Sequence, residues 1–301
     1  MIEIRRILCP IDFSECSRRA LDHAVAIARW YKASVTAVHV DAAIEIAGYG
    51  PAPMLGVPAI WTIADRSALA ADLKRFVNAD AASGVTVETV LREGAAAQEI
   101  LRHATALSAD LITMGTHGAS GFERLLLGSV TEKVLRKAAC PVLTVPPVSS
   151  AASAAPVRFK QIVCAVDFSD CSLDALKYAL SLAQEADGRL TVVHVLANHL
   201  VPDPVLPDHH LSVLAYQRRR EDEALQRLDE AVPSTAAARG RVESTIVRGK
   251  PWREIVRLAT ALQSELIVLG VRGRGTAGLM FFGSTANQVV RHAACPVLTL
   301  R

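Results

Sequence analysis

The chain repeats itself at a single offset of 155 positions, and that repeat limits the possible folds more than any other feature. The offset carries Cys9, Cys16 and Cys140 onto Cys164, Cys171 and Cys295. Asp12-Phe13-Ser14 returns as Asp167-Phe168-Ser169, His39-Val40 as His194-Val195, and Glu99-Ile100 as Glu254-Ile255. Gly115, Gly118 and Gly128-Ser129 return as Gly270, Gly273 and Gly283-Ser284, and Cys140-Pro141-Val142-Leu143-Thr144 comes back intact from Cys295. One offset across 301 residues means two copies of one domain, since a solenoid would need a shorter period and more units. The six cysteines are then three positions used twice, without the tight local spacing of a disulfide framework or a zinc cluster. Between the copies, Pro146 to Pro156 is a tract of small residues bounded by prolines, which reads as a partly flexible linker. The expected division is a first domain over 1–147, a linker over 148–157 and a second domain over 158–301.

Composition narrows the class. Half the residues are hydrophobic (51%) but only 5% are aromatic, so the core must rest on small and branched aliphatics. Such a core suits helices lying closely on a parallel sheet. Lys plus Arg total 33 against 30 acidic residues, a formal charge of +3. That excludes a dedicated nucleic-acid binder, whose affinity comes from clustered basic surface. No apolar run reaches the ~18 residues of a membrane-spanning helix. The start, Met1 to Arg6, runs straight into a strand-like segment without an export signal, so a cytoplasmic location with reduced thiols is expected.

Each copy alternates strands and helices. Ile4 to Cys9 reads as a strand, Ser14 as a helix N-cap, and Leu21, Ala24, Val25 and Ala28 as the apolar face of a helix ending near Tyr31. Strands are expected over Ser34 to Val40, Val85 to Leu91, Leu111 to Met114 and Val142 to Val145. The intervening helices fall over Ile63 to Ala81, Ala95 to Ala106 and Ser129 to Ala138. The second copy follows suit, with a helix over Leu211 to Ala231. Irregular stretches lie over Gly48 to Pro58 and Asn198 to His210. This pattern predicts two tandem, doubly wound (Rossmann-like) α/β domains with parallel sheets and helices on both faces.

Ligands of such sheets bind beyond the carboxyl ends of the strands. Asp12 and Asp167 stand just after the first strand of each copy, and the glycine loops just after the fourth. Gly128-Ser129 and Gly283-Ser284 each open a helix. Glycines that turn with positive φ and expose N–H groups, together with a helix N-terminus, form an anion cradle. A carboxylate can accept from ribose hydroxyls or an adenine amine. Glycines that merely end strands and serines that merely cap helices remain the alternative, although the same spacing occurs twice.

The run Gly115-x2-Gly118-x9-Gly128-Ser129-Val130-Thr131-Glu132-Lys133-Val134 and the closing Cys140-Pro141-Val142 resemble the universal stress protein signature. Asp12-Phe13-Ser14 and His39-Val40 fit the same family. The resemblance covers both halves and implies sheets of five parallel strands in the order 3-2-1-4-5. Some members of the family bind ATP and others do not, and the glycine pattern, kept in both copies, goes with binding. By that resemblance Asp12 and the Val40 backbone hold adenosine, while Gly115, Gly118, Gly128, Ser129 and Val130 wrap ribose and phosphates. The second set is Asp167, Val195, Gly270, Gly273, Gly283, Ser284 and Thr285. Pro10 and Met114, with Ala165 and Leu269 in the second copy, adjoin these residues and complete the candidate site. Mg²⁺ would enter on the nucleotide phosphates rather than on side chains. The second copy departs from the first in having Ala165 for Pro10, and Arg272 and Arg274 in its loop. Those guanidiniums either strengthen phosphate contact or point into solvent. The resemblance also implies an intramolecular pseudo-dimer, with Val142 to Val145 antiparallel to Val297 to Leu300, and allows a homodimer of the tandem chain. No protein partner is legible.

Other residues read more simply. Asp203, Asp208, His209 and His210 read as an exposed polar loop, because they meet no zinc spacing. His39 and His194 read as packed histidines, whereas His117 lies in the glycine loop, where it touches either a phosphate or nothing. Arg218-Arg219-Arg220 followed by Glu221-Asp222-Glu223 is a solvated helix face. Cys9 and Cys164 are expected buried and inert. Cys16 and Cys171, in a first helical turn, sit where a helix dipole can lower a thiol pKa and allow redox sensing, although a simply buried thiol is the favoured reading. No G-x4-G-K-[ST] loop and no oriented general base is present. The expected role is therefore a nucleotide-dependent regulator or sensor with at most slow hydrolysis. The alternatives are a protein-interaction scaffold that binds no nucleotide and an ATP-hydrolysing or adenylating enzyme.

Overall fold

Among the described residues the alternating pattern folds, in a computed structural model, as ten strands joined in one sheet. The structure describes residues 2–41, 63–78, 84–118, 127–147, 156–197, 210–233, 240–272 and 282–301. The linker centre and the expected irregular stretches, with Asp203, Asp208 and His209, lie outside them, except that His210, expected in the second stretch, instead opens a helix.

In the first half, β1 (Arg6–Pro10), α1 (Glu15–Tyr31), β2 (Ser34–Asp41) and α2 (Ile63–Asn78) are followed by β3 (Val87–Glu93) and α3 (Ala96–Leu107). β4 (Leu111–Gly115), α4 (Ser129–Lys137) and β5 (Val142–Val145) complete it. The second half repeats the order with β6 (Gln161–Ala165), α5 (Asp170–Glu185), β7 (Arg189–Leu196) and α6 (His210–Ala231). Then come β8 (Val242–Arg248), α7 (Pro251–Ala261), β9 (Leu266–Gly270), α8 (Ser284–His292) and β10 (Val297–Leu300). The sheet runs β3-β2-β1-β4-β5-β10-β9-β6-β7-β8, so each half keeps the order 3-2-1-4-5. Neighbours within a half are parallel, and β5 meets β10 antiparallel with Leu143 opposite Leu298. Two threonines related by the repeat seal this seam. The Thr144 hydroxyl donates to the Val297 carbonyl at 3.2 Å, and the Thr299 hydroxyl to the Val142 carbonyl at 3.1 Å. Because the halves run in opposite directions, their carboxyl ends face opposite edges of the sheet.

Period-two alternation divides each strand between two cores. Ile7 and Cys9 face α1, α2, α5 and α6, whereas Leu8 faces α3, α4, α7 and α8. Small residues let the helices lie close, with Ala20, Ala24 and Ala28 of α1 all buried. β3 ends two residues beyond the expected Leu91, because its ladder with β2 continues through Arg92 and Glu93. An edge strand can pair its backbone there without burying apolar side chains. Cys9 and Cys164 are fully buried, and burial raises both thiols far above their ordinary range.

The halves also touch through helices. The Tyr31 hydroxyl lies 2.8 Å from Ser181 Oγ, and Arg291 pairs with Glu132 at 3.6 Å. His23 of α1 packs on Phe159, just ahead of β6, with its Nδ1 2.7 Å from the Arg19 carbonyl. Burial pushes its imidazole down to about 4. The unfolded chain, at about 6.5, takes up a proton that the folded chain refuses, so stability falls as pH drops from about 6.5 to about 4. The loss should reach roughly 3 kcal/mol. Urea unfolding at pH 7 and pH 4.5 checks this, since His23→Leu should flatten the difference relative to the parent chain.

Candidate functional site

Each half opens a cavity at the carboxyl ends of its strands. Pro10 from β1, Asp12 from the turn after it, Val40 from β2, and Met114 and Gly115 from β4 line the first. Gly118, Gly128, Ser129 and Val130 close it from the loop and the start of α4. All nine residues expected from the first copy therefore surround one space. In the second half Ala165, Asp167, Val195, Leu269 and Gly270 do the same with Gly283, Ser284 and Thr285. Gly273 and Arg274 fall outside the described residues.

The aspartate is held by its own turn. Asp12 Oδ1 accepts from the Ser14 N–H at 3.0 Å and the Ser14 hydroxyl at 2.5 Å. Ser14 Oγ in turn caps α1 by accepting from the Ser17 N–H at 3.1 Å. Asp167, Ser169 and Ser172 repeat this, at 3.0, 2.5 and 3.3 Å. Within the turn, Phe13 and Phe168 both adopt φ of 63°, a region that costs a bulky residue strain and that clusters at functional sites. Each ring then packs 4.7 Å from the histidine of the neighbouring strand, His39 or His194. The Nδ1 of each histidine lies 2.7 Å from the carbonyl of Ile11 or Val166. The packed reading of these histidines holds, and both also line the cavities.

The loop glycines act differently from expectation. Positive φ among the described glycines is confined to Gly84, Gly94, Gly240 and Gly249. Gly115, Gly118, Gly128, Gly270 and Gly283 serve close approach instead. A Cβ on Gly118 would stand 2.8 Å from Asp12 Oδ2, and one on Gly115 2.7 Å from the Cys16 Cβ. On Gly270 it would meet backbone of Cys171 and Ser172 at 2.9 Å, and on Gly283 the Val271 carbonyl at 2.6 Å. The helix start is then clamped to the loop, since the Gly128 N–H donates to the Thr116 carbonyl and the Gly283 N–H to that of Val271, both at 2.8 Å. Thr131 adds a hydroxyl bond to the Gly115 carbonyl at 2.9 Å, which Ala286 cannot repeat. Bare backbone, a helix N-terminus and an acidic tip thus meet in one space. That chemistry fits a phosphate-bearing ligand with a hydroxylated or amine-bearing end. Among the described residues no group of three His, Cys, Asp or Glu could hold a metal on its own.

The cavities are unequal, about 190 Å³ in the first half and about 370 Å³ in the second. His117, Thr131 and Pro10 line the first. Ala286 and Ala165 replace the last two, and Arg272, in the place of His117, does not line the second. Arg272 instead presents its carbonyl to the Ser169 hydroxyl at 3.1 Å, and its charge acts on Arg301.

The sequence missed the apolar walls from the helices after the edge strands. Ala96 and Ile100 line the first cavity, and Pro251 and Ile255 the second. The repeated Glu99-Ile100 and Glu254-Ile255 were the available signal. The helix dipole does not activate Cys16, because burial raises its thiol despite an opposing bond from the His117 backbone. The Cys171 thiol donates to the Leu300 carbonyl at 2.9 Å. On α6, Arg219 pairs with Glu223 at 2.9 Å, as a solvated face should.

Two doubly wound halves, each with a glycine-walled cavity beneath an acidic strand tip, define a tandem α/β protein. The sequence model of the universal stress protein family matches residues 3–146 and 158–301, and the chain belongs to that family. It is 26% identical over 304 aligned residues to a universal stress protein of Mycolicibacterium smegmatis, covering 98% of this chain and 96% of that one. Its similarity to a single-length relative from Methanocaldococcus jannaschii is 38% identity over 146 residues, 47% of this chain and 81% of the relative. The fold matches the crystal structure of a universal stress protein from Archaeoglobus fulgidus, with a TM-score of 0.69, 23% identity and coverage of 100% and 99%. Among the described residues no helix is long and apolar enough to cross a membrane.

Proposed function

We propose that the chain binds an adenine nucleotide, ATP, in each cavity and acts as a nucleotide-dependent regulator in the cytoplasm. The observation that carries this reading is convergence. The described residues that the family resemblance assigns to ATP, all but Gly273, line two separate cavities at corresponding positions. In the first, the apolar wall of Val38, Val40 and Ile100 offers a slot for the base, with Asp12 beside it for a ribose hydroxyl or the adenine amine. Ser129 and Val130, at the start of α4, and the backbone around Gly118 and Gly128 offer donors to the phosphates. Asp167, Ser284 and Thr285 take these roles in the second cavity. Mg²⁺ would arrive with the phosphates. Six free thiols, of which Cys140 and Cys295 are pushed up by burial to about 11 and about 12, suit a reducing compartment.

Purified protein should release nucleotide on denaturation and turn over ATP more slowly than about 1 s⁻¹, the lower end of typical enzyme rates. Faster turnover would make the chain an ATP-using enzyme. The absence of both released nucleotide and any titration signal with ATP would leave a scaffold that binds none.

A further inference from the structure

Two residues of the outer helices, neither of them in a cavity lining, touch the turns that carry the acidic tips. In the first half Phe76, in the last turn of α2, meets the Phe13 ring edge to face with centroids 5.5 Å apart. The guanidinium of Arg18 lies 3.7 Å over the Phe76 ring, and the Arg18 N–H donates to the Ser14 carbonyl at 3.0 Å. The contacts thus close a circuit from Phe13 through Phe76 and Arg18 back to Ser14. The repeat does not carry this arrangement over. Leu173 stands for Arg18 and Ala231 for Phe76, and an alanine has no ring to offer. One helical turn earlier on α6, Arg227 places its guanidinium 4.1 Å over the Phe168 ring. Positions four apart share a helix face, so both outer helices bear on the same phenylalanine with different chemistry.

The phenylalanine holds the aspartate. Phe13 and Phe168 stand at φ 63°, which a bulky residue keeps only where its surroundings impose it. A relaxed, negative φ would swing the next peptide. The N–H of Ser14 or Ser169 would then leave the aspartate Oδ1 to which it donates at 3.0 Å. The carboxylate would turn freely, and Asp12 Oδ2 would lose its place beside Gly118.

We propose that Phe76 in the first half and Arg227 in the second are positioning residues, which hold Asp12 and Asp167 in their ligand-accepting geometry through the turn phenylalanines. The inference rests on the nucleotide reading above. It extends each site to an outer helix, so that a change at α2 or α6 reaches the ligand through one ring.

The test follows two readouts in the full chain. Hydrogen exchange of the Ser14 amide, measured without ligand, reports opening of the turn. ATP affinity, measured in the chain carrying Asp167→Asn, reports the first cavity. Phe76→Ala should speed Ser14 exchange and weaken ATP, each about fivefold, the worth of one edge-to-face pair. Phe76→Leu, which keeps an apolar side chain on α2, should recover part of both. Arg227 is exposed, so Arg227→Met should keep the fold. With Asp12→Asn isolating the second cavity, it should speed Ser169 exchange and weaken ATP about threefold, and Arg227→Lys should restore part of the loss. Weaker ATP with unchanged serine exchange would mean that these residues do not act through the turn, and would overturn the proposal. Faster exchange with unchanged affinity, or no change in either, would overturn it too while leaving nucleotide binding intact. A parent chain that binds no ATP would remove the nucleotide reading, and serine exchange would still decide whether the outer helices hold the turns.

Discussion

Asp12→Asn is expected to weaken ATP at the first site by about 10- to 100-fold while the domain stays folded. The two carboxylate oxygens have different work. Oδ1 accepts from the backbone and hydroxyl of Ser14 and so holds the turn that places Phe13 at φ 63°. Asparagine keeps that oxygen and tolerates such turns. Oδ2 is the atom beside Gly118, and asparagine replaces it with an amide that donates where a ribose hydroxyl or adenine amine needs an acceptor. Asp12→Ala would also release Ser14 and the α1 cap, so stability and binding would fall together. Calorimetric titration beside a thermal melt separates the two variants. Wild-type affinity in Asp12→Asn would show that the carboxylate is only a turn residue. Asp167→Asn should behave in the same way at the second site.

The second large effect is on stability and distinguishes the two halves. Gly283→Ala should cost the second domain about 1–3 kcal/mol, the usual penalty for forcing an atom into packed structure. Its Cβ would stand 2.6 Å from the Val271 carbonyl, a backbone atom held by the Gly283 N–H itself, so neither side can move without unseating α8. At the corresponding Gly128 the same atom would lie 3.2 Å from the Thr116 carbonyl, a contact that a few tenths of an ångström relieves. Gly128→Ala should therefore cost about half as much or less. Urea denaturation of both variants checks the order, and equal costs would contradict the geometry.

The duplication, the strand and helix alternation and the acidic tips and glycine loops were all legible in the chain. Each is a local pattern, and the 155-residue repeat shows it twice. What was not legible depends on the third dimension. Ala96, Ile100, Pro251 and Ile255 read as core-facing helix residues. Only the 3-2-1-4-5 winding carries the starts of α3 and α7 over the cavities. The positive φ of Phe13 and Phe168 was hidden because propensity disfavours it for a bulky residue, whereas the Asp-Ser turn and the packed histidine impose it. Positive φ was expected of the loop glycines, whereas those among the described residues leave room for a neighbouring backbone or carboxylate. His117 and Arg272 occupy equivalent loop positions, yet one lines its cavity and the other turns aside. Thr116 and Val271, one residue earlier, are where the two halves diverge.

Binding stoichiometry tests nucleotide binding in both cavities most directly. Equilibrium dialysis of labelled ATP with Mg²⁺ against the full chain should give two sites per chain, falling to one in Asp12→Asn and in Asp167→Asn and to none in the double variant. No saturable binding by the parent chain up to several millimolar ATP, or two sites that survive both substitutions, would contradict it.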